Sequence, residues 1–404
     1  MMPDQKLALR SAKLGQSVFW LLLSLSVILV MFALWQWHPF GTVAYERSDY
    51  SEQLPLSTGA DEQVVDQAVI KAAARATFEV DYATRMFALA HNDLAALLAT
   101  STRTIATTST SGSSIIEVPP KDARSLYASH QSAWPAERTY PTDGAILPFH
   151  RIVAYYGNFY STRMGALGEY EPEEMKRRLL ADVAKWEQAD PETPVMPAID
   201  YIAVVAQADA GADGMYRNRM PDSEIQKAVT LAQEIGGIVI LEIQPGLANL
   251  QGEIEALEDW LKLPQVHVAI DPEFVMKTGD RPGTVIGSVN AADVNNAIVY
   301  LDSLVATYNL PPKVLLVHRF TGPMVKQAAD IIPTPTTQVV IVMDGWGAPG
   351  NKFATYNQIV APEPVQFTGF KIFYKNDLKP PSQGLLTPAE ILTLSPRPIF
   401  IQYQ

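Results

Sequence analysis

Residues 237–246 read GIVILEIQPG, and residues 266–274 read VHVAIDPEF. Each is a short, nearly continuous apolar run that ends in acidic or amide residues and a proline. Between them lies IEALEDWLKL at 254–263, whose apolar positions recur at helical spacing. An apolar strand, a helix and a second apolar strand describe a parallel sheet with both faces covered.

The same unit recurs on either side. The runs RIVAYYG (151–157) and PVMPAID (194–200) precede it, and KVLLVHRF (313–320), QVVIVMDG (338–345), FTGFKIFY (367–374) and PIFIQYQ (398–404) follow. Amphipathic stretches such as MKRRLLADVAKWEQ, DSEIQKAVTLAQEIG and AADVNNAIVYLDSLVATY separate them. Eight such units within 150–404 match the ~250 residues of a TIM (β/α)8 barrel, an α/β fold. A doubly wound open sheet is the rival, but GNFYSTRMGALG after the first run lacks the compact dinucleotide fingerprint.

Upstream of the barrel the texture differs. SVFWLLLSLSVILVMFALWQW at 17–37 is almost wholly apolar, and its length suits a transmembrane helix. Lys6, Arg10 and Lys13 precede it, and Glu46, Asp49 and Glu52 follow it. The positive-inside rule then makes 1–16 a cytoplasmic N-terminus and exports the remainder, giving a single-pass cell-membrane protein with an extracytoplasmic C-terminal domain. A cleaved signal peptide fits less well, because the run is long and ends in Leu-Trp-Gln-Trp-His-Pro. Residues 38–149 read as a stalk, with helices over about 60–99 and a Ser/Thr-rich linker over about 99–115.

Composition narrows the chemistry. Of 404 residues, 48% are hydrophobic and 18% charged, the latter below the roughly 25% of soluble domains. A net charge of -12 gives no electrostatic reason to bind nucleic acid. The absence of cysteine excludes disulfides, thiolate metal sites and a cysteine nucleophile. Gly-x-Ser-x-Gly and Walker motifs are also lacking, which argues against an α/β-hydrolase or a nucleotide-driven machine.

Barrel chemistry gathers at the C-terminal ends of the strands, and each run here closes in polar residues. Acids close the second, third, fourth and sixth runs, a histidine closes the fifth, and all are expected at one mouth. Period-two alternation places Asp271 and Glu273 on one face, Glu242 and Gln244 on another, and Asp344 with Trp346. Two neighbouring carboxyls split their pKa values, so one stays protonated as an acid. The catalytic candidates are Glu273, Asp271, Glu242 and Asp344. Candidate substrate-binding residues are Tyr155, Tyr156, Asp200, Gln244, His318, Trp346, Tyr374 and Gln402, the aromatics offering flat faces to sugar rings. Each type also has structural uses: acids cap helices, and aromatics pack barrels.

YYGNFYSTRMGALG, LEIQPG, VAIDPEF, VHRF and MDGWGAPGNK give 151–404 a resemblance to a group of exported bacterial barrel proteins, lipoproteins among them. That resemblance implies the fold and transfers no mechanism. The chain departs from the lipoproteins in using an apolar helix where they use a cysteine. Asp271-Pro272-Glu273 also resembles the Asp-x-Glu ending of the fourth strand in chitinase-type glycosidases. The likeness implies a proton donor at Glu273 and an acetamido-orienting group at Asp271. VMDG is similar to the Met-x-Tyr-Asp of their sixth strand. The aspartates that precede Asp-x-Glu in those enzymes are replaced by His267, Val268, Ala269 and Ile270.

Three functions follow as expectations. The first is a glycoside-hydrolase-like barrel acting on a cell-surface or extracellular polysaccharide, its carboxyls ~5–5.5 Å apart if retaining and ~6.5–9.5 Å if inverting. Against the commonest retaining class, the seventh run offers Lys371 and Asp377 where a glutamate is usual. The second is a non-catalytic tethered barrel that binds cell-wall glycan, or a protein partner through the stalk. The third is a hydrolase or isomerase with Mg or Mn on Glu242, Asp271, Glu273, His318 and Asp344; no other cofactor is expected.

Overall fold

The computed structural model describes residue 142 and residues 144–404. The expected N-terminus, anchor, stalk helices and Ser/Thr linker lie outside the described residues. Among those described, no helix is long and apolar enough to cross a membrane.

Eight strands carry the architecture: β1 (Arg151–Gly157), β2 (Val195–Ala206), β3 (Ile238–Ile243), β4 (Val266–Ile270), β5 (Lys313–Arg319), β6 (Thr337–Met343), β7 (Phe367–Ile372) and β8 (Phe400–Tyr403). Each pairs in parallel with the next, and β8 pairs with β1, so the sheet closes into an eight-stranded parallel barrel. Closure leaves no strand edge exposed within the ring. β2 runs past the expected end at Asp200, through YIAVVA, to Ala206. Its end pairs antiparallel with Arg217–Arg219, and a bulge between Ile202 and Val204 shifts its register against β3.

Helices α1 (Pro172–Ala189), α2 (Asp222–Glu234), α3 (Leu250–Glu255), α4 (Ala291–Tyr308) and α5 (Pro349–Thr355) follow strands β1, β2, β3, β4 and β6. Helix α1 starts with Pro172 in its first turn and buries Met175, Leu179, Val183 and Trp186, one stripe at three-and-four spacing. Helix α4 opens on a reciprocal Asn290/Asp293 capping box and ends with Asn309 in the left-handed conformation.

Two apolar layers result. One lies between strands and helices; the other, including Ile152, Ala154, Ala198, Ile240, Leu316, Val342 and Phe400, fills the barrel. Residues Ala145–Leu147, counted with the stalk on sequence, plug the N-terminal end. Leu147 is fully buried and exchanges two hydrogen bonds with Gln338, accepting from Nε2 and donating to Oε1.

Candidate active site

Period-two alternation places one polar side chain from every strand in a ring above the apolar filling. Tyr156, Asp200, Glu242, Asp271, His318, Asp344, Lys371 and Gln402 each stand two residues beyond an interior position. Those positions are Ala154, Ala198, Ile240, Ala269, Leu316, Val342, Gly369 and Phe400. Ala154, Ala198, Ala269 and Gly369 are small, which leaves room for the larger side chains above.

An unbroken chain of charge crosses this ring. His318 Nε2 lies 3.1 Å from Glu242 Oε2, and its Nδ1 lies 3.1 Å from Asp344 Oδ2, an ion pair off the line of an ideal hydrogen bond. Asp344 Oδ1 in turn lies 3.1 Å from Lys371 Nζ, which sits 3.9 Å from the centre of the Tyr156 ring. Burial would push the imidazole toward neutrality, but Glu242 and Asp344 outweigh it and hold His318 well above its ordinary pKa. Burial likewise opposes ionisation of Asp344, yet Lys371 and His318 hold its carboxyl below the usual range. Burial works against the Lys371 charge too, and Asp344, Glu242 and Asp271 together raise its pKa.

A second group of acids lacks such counterions. Burial, and then the Glu242 charge, raise Asp271 to about 7. Burial, and then Asp271, raise Glu273 to about 8. Asp200 is pushed well up by burial and by Glu242. The ring and Glu273 thus hold five carboxyls, Asp200, Glu242, Asp271, Glu273 and Asp344, against two cations, His318 and Lys371. A neutral cluster requires protons on three of them.

Positioning of the acids is specific. Asp271 Oδ1 accepts from the Glu273 backbone N–H at 3.1 Å and Oδ2 accepts from Gln244 Nε2 at 3.2 Å. Gln244 Nε2 also donates to the Tyr156 hydroxyl, and Gln402 Nε2 to Asp200 Oδ2. Asp200 Oδ1, Glu242 Oε1 and Gln402 Oε1 are buried without a hydrogen-bonding partner. Such acceptors are costly to leave unsatisfied and favour a donor-bearing occupant or water. Among the described residues, no group of three or more histidine or acidic side chains is set to hold a metal ion. Both His318 nitrogens already face carboxylates, and the Lys371 ammonium supplies positive charge among the acids.

Several sequence expectations need correcting. Asp271 and Glu273 do not alternate along one strand: β4 ends at Ile270, and Pro272–Phe274 forms a 3-10 turn capped by Asp271. The turn leaves Glu273 half-buried and near Asp271. Tyr155 faces the opposite side of β1 from Tyr156. It is 1% exposed, and its hydroxyl donates to Asp182 of α1 at 2.7 Å. Tyr374 joins the same cluster, bonding Asp182 and stacking on Tyr403 with ring centroids 5.1 Å apart. Both tyrosines therefore serve the layer behind the barrel wall. Trp346, 40% exposed, lies beyond β6 with Lys379 Nζ 5.2 Å from its ring centre.

Lys371 belongs to the ring but not to the expected site residues. The sequence shows it closing the seventh run in place of a glutamate, and its inward position on β7 is set by the same alternation. Behind it, Lys352 of α5 donates to the Lys371 carbonyl and to Asp377 Oδ2, both at 2.7 Å. Asp377 also accepts from the backbone N–H groups of Gly347 and Phe373 at 2.9 Å each. This buried pair ties the loop after β6 to the end of β7.

No family model and no curated protein matches the chain. Among solved structures it is similar to a sugar phosphate isomerase/epimerase from Parabacteroides distasonis ATCC 8503, at 10% identity and a TM-score of 0.27. That match covers 57% of this chain and 77% of that one. The class of the fold, an eight-stranded parallel barrel with its polar ring at the C-terminal end, rests on the strand pairing described above.

Proposed function

We propose that the barrel mouth is a general acid–base site that cleaves glycosidic bonds in an extracytoplasmic polysaccharide, held at the membrane by residues 17–37. Glu273 is the proton donor. Its proton passes to the leaving glycosidic oxygen as the C–O bond breaks. Asp344, ionised by Lys371 and His318, is the basic or nucleophilic partner, and water supplies the oxygen and proton that complete hydrolysis. Asp271 and Gln244 fix the turn that carries Glu273, and Trp346 offers a face to a sugar ring.

One observation carries this reading: two carboxyls of one site are held in opposite protonation states near neutral pH, Glu273 raised to about 8 and Asp344 lowered. The test is a screen of polysaccharides and aryl glycosides with the wild-type chain, followed by Glu273→Gln. That variant keeps the shape and removes the proton, so turnover should fall at least ~10²-fold. Activity within a few-fold of wild type removes Glu273 from the mechanism.

A non-catalytic glycan-binding barrel is the second reading. It is favoured by the depth of the Glu242–His318–Asp344–Lys371 chain, in which the Glu242 and His318 side chains are fully buried. Glycan binding by the wild type without turnover of any bound substrate selects it.

A further inference from the structure

A cavity of about 500 Å³ opens next to the turn that bears Glu273. Its walls are Gly246–Gln251 after β3, the segment around Val275–Lys277, and Asp293 and Asn296 in the first turns of α4. The walls are joined directly: the Met276 N–H donates to the Gly246 carbonyl at 3.0 Å, and Gly246 bridges Val275. The Glu273 carbonyl accepts from the Gly287 N–H at 2.7 Å, which fixes the turn on its other side. Volumes of ~300–1,000 Å³ are usual for small-molecule sites.

The chemistry of the lining selects among occupants. Lys277 is paired with Asp293, so the cavity has no free positive charge at that edge. Asp293 also closes the α4 capping box, and Asn249 caps α3, so neither helix start offers an uncapped N-terminus to an anion. Gln251 Oε1 is buried without a hydrogen-bonding partner. Leu247, Leu250, Val275 and Met276 supply apolar surface between these polar groups. At the mouth the cationic side chain is also already engaged. Lys371 is held there by Asp344.

We propose that this cavity is a second sugar subsite and that the sugar units of the substrate are uncharged. The inference rests on the glycan-cleaving reading of the mouth and deepens it. Amide and carbonyl groups beside aliphatic side chains suit hydroxyls and C–H faces. A phosphate, sulfate or uronate would find no unpaired ammonium in this cavity, because Lys277 is held by Asp293.

The test uses the full-length chain carrying Glu273→Gln, with calorimetric titration of cellohexaose, chitohexaose and hexagalacturonate. At least one neutral hexaose should bind, and hexagalacturonate at least tenfold more weakly. Asn296→Trp, made at an exposed position in that background, fills the cavity and should weaken the bound hexaose at least tenfold. Made alone, it should leave cleavage of the matching nitrophenyl glycoside, which needs only the mouth, within twofold of wild type. Equal or tighter uronate binding, no binding of either neutral hexaose, or unchanged affinity in Asn296→Trp overturns the inference. The two readings fail separately. A wild-type chain that binds a neutral hexaose without cleaving it loses the catalytic role and keeps the subsite. A chain that cleaves hexaose with affinity unaltered by Asn296→Trp keeps catalysis and loses the subsite.

Discussion

The Lys371 ammonium stands 3.1 Å from Asp344 Oδ1, and both side chains are at least nine-tenths buried. A charge pair at that depth holds only while both partners remain, because the survivor is left without compensation. Lys371→Met should therefore destabilise the barrel by about 3–5 kcal/mol, read from denaturant unfolding. It should also raise the Asp344 pKa. In the proposed mechanism Asp344 works ionised, so the acid limb of the pH–rate profile should move to higher pH. An unmoved limb would take Asp344 out of the catalytic pair.

Stability should depend on pH with a definite sign. Asp271 and Glu273 titrate at about 7 and about 8 in the folded chain, against roughly 3.9 and 4.3 when unfolded. The folded state then binds more protons from about pH 4 to pH 8, so stability falls as pH rises through that window. His318 acts in the same direction. Its pKa is raised by Glu242 and Asp344 against the pull of burial, so its contribution is complete below about 6.5 and is lost as pH climbs through the folded value. Thermal melts from pH 5 to pH 9 should show the decline. Glu273→Gln should flatten its upper part.

Lys352 and Asp377 should behave as one unit. Either single change, Lys352→Met or Asp377→Asn, leaves a buried partner unsatisfied and should cost about 3–5 kcal/mol. The double variant should cost less than the sum by about 1–3 kcal/mol. Strict additivity in a double-mutant cycle would mean that the pair does not couple the loop after β6 to β7.

Gly165 lies so close to β1 that a Cβ there would sit 2.2 Å from the Tyr156 carbonyl oxygen. Gly165→Ala should cost at least the ~1–3 kcal/mol typical of overpacking, and should lower activity by moving Tyr156 from beneath Lys371. Gly350 in α5 is a control, because a Cβ there meets nothing within 4 Å. Gly350→Ala should leave stability unchanged or raise it by up to ~1 kcal/mol. Equal effects of the two substitutions would contradict the packing described.

The barrel was legible because strands buried on both faces must be apolar throughout, and the eight runs meet that demand in order. The inward acids were legible for a related reason: where an apolar run stops at the open end, its next inward side chain is polar. What could not be read is which of two adjacent aromatics faces inward. Tyr155 and Tyr156 are chemically alike, and only the pleat of β1 sends one to Asp182 and the other beneath Lys371. Lys371, named on sequence only where a glutamate is usual, is hard to assign for a different reason. A lysine at a strand end reads as solvated until three carboxylates from other strands are seen around it. At Pro272 the sequence marks a place where the strand can stop but not the turn that follows, because proline ends a strand and opens a 3-10 turn equally well.

The plug formed by Ala145–Leu147 sets the direction from which the polypeptide reaches the barrel. Pinned to Gln338 at the closed end, the chain enters on the side away from the acids. A rigid label or surface linkage placed next to residue 142 would therefore attach at the rear of the barrel and leave the approach to Glu273 unobstructed. Immobilisation at that point would suit single-molecule or surface-binding measurements on any candidate ligand of the mouth.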